Sequence, residues 1–181
     1  MRANGCVGSE ECLTIRVSFG VAALAIALVA LVLVVPIARA DEELVSFEAE
    51  LSGDQQVPPV ETDASGEAFF QLSEDGQSIT FQLSVDDISN VLAAHIHLGA
   101  AGTNGDVVAF LYGPKAPGGR PLEGVIATGT ITAASLVGPL AGHPLSDLVA
   151  AMVGGNTYVN VHTSSFPAGE IRGQIVVEDE G

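Results

Sequence analysis

Beyond residue 40 the chain has no cysteine: its two, Cys6 and Cys12, both lie within the first twelve residues. Residues 41–181 therefore carry no disulfide and offer no thiolate ligand, so a packed core must hold them together. Tryptophan is absent altogether. Basic side chains are almost as scarce, with three after residue 40 (Lys115, Arg120 and Arg172) against twenty acidic ones, a formal charge of −17. Such a field repels nucleic acid and anionic lipid, keeps an exported protein soluble and gathers cations. The chain also lacks the usual marks of catalysis. There is no Gly-x-Ser-x-Gly elbow, no Gly-x-x-x-x-Gly-Lys loop and no Asn-x-Ser/Thr site. "DDISN" lacks the glycine and glutamate of a calcium loop. Ser164 and Ser165 follow His162 directly, and sequence neighbours do not make a triad. A hydrolase is not expected, and nothing here defines an enzyme.

What is present begins with a leader. Arg2 and Arg16 precede the apolar run "VAALAIALVALVLVV" from Val21 to Val35, then Pro36 and Ala38-Arg39-Ala40. That layout predicts a signal peptide over 1–40, cleaved after Ala40, and one domain over 41–181. The product would be secreted, periplasmic or cell-surface, with no membrane span. An uncleaved anchor is the alternative, since a spanning helix needs about 20 apolar residues and the run extended back to Val17 nearly supplies them.

After residue 43 the hydrophobic pattern has a period of two, as half-buried antiparallel strands require. Val45, Phe47, Ala49 and Leu51 alternate with polar neighbours, as do Ala68, Phe70 and Leu72, and then Ile79, Phe81, Leu83 and Val85. Further strands are predicted at 91–98, 106–112, 125–132, 157–163 and 170–177, separated by turns rich in Gly, Pro, Asp and Ser. This predicts an all-β fold, a Greek-key antiparallel β-sandwich of about eight strands. One segment departs from the pattern: "HPLSDLVAAMVGG" spaces Leu145, Leu148, Val149 and Met152 as one short helix, with His143 near its start.

Alternation also sorts the histidines. With Ala94 and Ile96 facing the core, His95 and His97 fall on the opposite face; with Val159 and Val161 inward, Tyr158, Asn160 and His162 fall there too. His-x-His on a strand spaces two imidazoles at the 6–7 Å repeat of alternate residues, and a third from another strand would complete a three-nitrogen site. Imidazole suits copper, zinc, nickel or iron. Three ligands leave an open position, and Asn160 or Tyr158 would support the ligands from behind. The same histidines can equally serve as fasteners, each bonding the glycine-rich turn that follows it, "HLGAAGTNG" or "HTSSFPAGE". Arg172 shares an outward face with Glu170, which predicts a surface ion pair or, alternatively, a guide for a small anion.

Three stretches carry a resemblance. "FEAELSGDQQVPPVETDASGEAFFQL", "AAHIHLGAAGTNGDVVAFLY" and "YVNVHTSSFPAGEIRGQI" resemble the CHRD (chordin) domain family, from about Phe47 to Ile175. The resemblance implies an exported or surface-attached β domain with no agreed reaction, and a binding module as one inherited role. A looser similarity is to the copper–zinc superoxide dismutase sandwich, whose copper site uses a His-x-His strand, a histidine ending a later strand and a late arginine. His95, His97, His162 and Arg172 stand in that order, but no zinc-binding loop or stabilising disulfide has a counterpart. What is implied is a mononuclear copper site, not a dinuclear one.

The sequence thus predicts an exported binding or structural module with a copper site, zinc being the alternative metal, at His95, His97 and His162. Two other readings stay open: a copper-dependent redox enzyme of superoxide-dismutase-like type, and a metal-free extracellular adhesion or matrix module with an unnamed protein partner.

Overall fold

The computed structural model describes residues 44–178; the predicted leader, with Cys6 and Cys12, and the predicted cleavage after Ala40 lie outside them. No helix among the described residues is long and apolar enough to cross a membrane. Nine strands form: β1 (Ser46–Ser52), β2 (Ser65–Leu72), β3 (Ile79–Ser89), β4 (Val91–Leu98), β5 (Val107–Tyr112), β6 (Pro121–Ile131), β7 (Thr157–Thr163), β8 (Ile171–Gln174) and β9 (Val176–Val177). One α-helix, α1 (Leu145–Val153), precedes β7.

All strand pairs are antiparallel, in the order β5-β4-β7-β8-β1-β2-β3-β6, with β9 also pairing with β1. β1–β2–β3 is a meander that continues into β6 rather than β4, while β4 crosses to pair with β7, as the Greek-key expectation requires. The two edges approach each other, and Val137, just after β6, donates its N–H to the Val108 carbonyl of β5. The result is a nearly closed sandwich whose inner faces supply the core. Phe47, Phe70, Leu83, Ile96, Val161 and Ile171 are each at most 2% exposed. On α1, Leu145, Leu148 and Met152 are buried, while Val149 packs against the core in part.

The departures from the alternating pattern have local causes. Val45 is 41% exposed because β1 starts one residue later. β4 and β7 shift register between Val91 and Ala93, which turns Val91 inward and leaves Leu92 half-buried. β3 runs on through Asp86 and Asp87 by a second irregularity, with Asp87 at φ 51°, and β6 begins at Pro121 rather than Val125. The last predicted strand breaks at Ile175 into β8 and β9.

Candidate metal centre

The crossing that sets β4 beside β7 decides the site. In that pair Ala93 lies opposite His162, His95 opposite Asn160 and His97 opposite Tyr158, so the three histidines share one face across two strands. Their ring centroids are 4.9 Å apart for His95 and His162, 5.7 Å for His95 and His97, and 5.8 Å for His97 and His162. One ring nitrogen of each lies within 4.8 Å of those of the other two.

The face is not open to solvent, as alternation alone suggests. Loops 53–60, 99–106 and 164–170 lie over it, leaving His97 9%, Asn160 4%, Tyr158 2% and Arg172 1% exposed. His97 Nδ1 meets the Gly105 carbonyl at 2.9 Å, and His162 Nδ1 meets the Pro167 carbonyl at 3.1 Å. A carbonyl can only accept, so both Nδ1 atoms carry the proton, and in a neutral ring Nε2 is then a bare lone pair. Those two Nε2 atoms, together with His95 Nδ1, are three of the five buried side-chain polar atoms that lack a partner among the described residues. The histidines do fasten the loops, with one nitrogen each for His97 and His162. The other nitrogen of each is left without a partner.

Burial keeps the rings neutral. It pushes His95 down to about 4, helped by the fields of His162 and then His97. His97 is also lowered, mainly by burial, while its bond to Gly105 pulls the other way. Burial lowers His162 against the opposing pull of the Pro167 bond. Neutral imidazole is the form that binds metal. The donor set fits a first-row ion: three imidazole nitrogens with no thiolate or carboxylate in the group. Metal–nitrogen bonds of about 2.0–2.1 Å put any two donors at most about 4.2 Å apart, so closing on an ion takes a small ring rotation.

Tyr158 and Asn160 touch the histidines or their loops. Tyr158 stacks on His97, and its hydroxyl accepts the Gly105 N–H at 3.1 Å. Asn160 donates to the Ala168 carbonyl at 3.2 Å and accepts from Gln56 at 2.7 Å, holding the loop that carries Pro167. The reading of Arg172 needs correction. Glu170 instead accepts from the Thr62 and Thr163 hydroxyls at 2.9 and 2.6 Å. Arg172 lies 3.5 Å over the Tyr158 ring, donates to Ala100 O at 3.2 Å and reaches Asn104 Oδ1 at 3.4 Å. A guanidinium covered this completely forms no surface ion pair and presents nothing to an anion in solvent. His143 stays outside the cluster, paired with Asp147 at 2.8 Å on the exposed start of α1.

Two contributors were not read from the sequence. Phe110 of β5, 53% exposed, sets its ring edge-on to His95 at 4.9 Å; its outward position follows from alternation, but not its being opposite His95. Gln56, at 6% exposed, had no signal beyond its place in the "SGDQQVPPV" loop.

Fold and site together define an all-β domain with a half-buried, three-histidine nest on its loop-covered face. The family model described as the CHRD domain matches residues 47–175, and the chain belongs to that family. No curated protein and no solved structure matches it.

Proposed function

We propose that the protein is an exported CHRD-domain binding module that holds one metal ion, copper before zinc, on His95, His97 and His162. The observation that carries this reading is the set of three buried ring nitrogens without partners, two of them oriented by Nδ1–H bonds to loop carbonyls. A buried acceptor without a donor costs about 1–3 kcal/mol, and a bound cation would offset that cost at His97 and His162. Export rests on the leader pattern and the acidity of residues 41–181. A binding role is preferred to a redox enzyme because Arg172, the expected anion guide, is 1% exposed.

The test is a thermal melt of the metal-stripped protein with Cu(I), Cu(II) and Zn(II) added in turn, repeated on His97→Ala. A ligand present at a hundred times its dissociation constant adds about 2.7 kcal/mol, visible as a raised midpoint. A saturable rise that His97→Ala abolishes supports the reading. No rise with any ion leaves a metal-free adhesion or matrix module in its place.

A further inference from the structure

In a chain of formal charge −16, neither His97 nor His162 is hydrogen-bonded to a carboxylate. The ligating group contains no carboxylate among the described residues. Behind it, His97 and His162 donate to neutral carbonyls rather than to Asp or Glu side chains. A carboxylate in that position would raise the basicity of an imidazole ligand; a carbonyl does so less. A positive charge stands one ring away from His97. Strand order β4-β7-β8 places Tyr158 between His97 and Arg172, with His97 stacked at 4.9 Å and the guanidinium 3.5 Å over the ring.

Charge and coordination number then point the same way. The cost of taking an ion out of water grows with the square of its charge, and three neutral donors return none of it by neutralisation. Cu(II) favours tetragonal sites of four or more N or O donors, and zinc completes a tetrahedron of four. Cu(I), a monovalent d10 ion, makes neither demand.

We propose, on the basis of the three-histidine reading, that the site is selective for monovalent copper, binding Cu(I) in preference to Cu(II) and Zn(II), and that Arg172 sharpens this preference through the Tyr158–His97 stack. Arg172 is a positioning residue here and touches no metal. A cation held this way is carried rather than put to work as a Lewis acid, which suits a binding module.

The experiment is a set of anaerobic competition titrations on the purified protein, with bicinchoninate for Cu(I) and nitrilotriacetate for Cu(II) and Zn(II). Wild type is expected to bind Cu(I) at least about a hundredfold more tightly than Cu(II), which for a one-electron couple raises the potential of the bound copper by about 118 mV. The informative variant is Asn104→Asp. Asn104 is exposed and its Oδ1 already faces Arg172, so a carboxylate there cancels the guanidinium field without removing the buried side chain. It is expected to shrink the Cu(I)/Cu(II) ratio by about fivefold. Cu(II) binding as tightly as Cu(I) overturns the selectivity, and an unchanged ratio in Asn104→Asp overturns the part given to Arg172. Zn(II) binding without copper likewise overturns the selectivity, and failure to bind any of the three ions sinks the three-histidine reading itself.

Discussion

Tyr158 lies flat against His97, its ring centroid 4.9 Å away and its plane 13° from parallel, while its hydroxyl accepts the N–H of the glycine whose carbonyl holds the same histidine. One side chain thus fixes the ring both directly and through the loop. Tyr158→Phe keeps the stack and removes only the acceptor. It is expected to cost about 1 kcal/mol in urea unfolding and to leave metal affinity within a few-fold of wild type. Tyr158→Leu removes the stack as well, and should weaken metal binding beyond its effect on stability. Equal affinity in the two variants would show that the stack does not orient His97.

The three lowered histidines make stability depend on pH. His95 ordinarily titrates near 6.5 and is held at about 4 in the folded chain, so between those values the unfolded chain binds more protons. The stabilising contribution is complete above about pH 6.5 and is lost as the pH falls toward 4. The urea midpoint should therefore drop across that window, and His95→Leu should make the drop shallower. Metal affinity should fall in the same direction as protons compete for the nitrogens. A midpoint flat from pH 7 to 4 would contradict the neutral cluster.

Asn160 and Gly169 lock the loop that holds His162. A Cβ on Gly169, whose φ is 126°, would run into the Asn160 amide and Gln56. Gly169→Ala should cost about 2 kcal/mol or more. Asn160→Asp replaces the donor to Ala168 O with a carboxylate oxygen facing a carbonyl, an expected loss of about 1–3 kcal/mol. In both variants, faster amide hydrogen exchange at residues 164–170 and weaker metal binding should appear together. Unchanged exchange would mean that the loop is held by other contacts.

Much of this architecture is written locally. Phe47, Ala49 and Leu51, or Ile79, Leu83 and Val85, alternate because successive side chains leave a strand on opposite faces, and that period survives any reading of the chain. The same period puts His95 beside His97 and places Tyr158, Asn160 and His162 on one face. The helix at Leu145–Val153 is equally local, marked by its apolar spacing and the glycines that end it. The chain's acidity and its want of cysteine after residue 40 are matters of composition alone.

Only the tertiary structure decided that β4 and β7 are neighbours, because their pairing closes a loop of some sixty residues and no local signal records it. It also decided what covers the outer face. Alternation tells a side chain's direction but not whether a loop lies above it, so Arg172 reads from sequence as a surface cation and proves 1% exposed, stacked on Tyr158. The fastening role of two histidines was decided in the same way. Each imidazole has two nitrogens, and only the packed loops determine that in His97 and His162 one is bonded and the other is left bare.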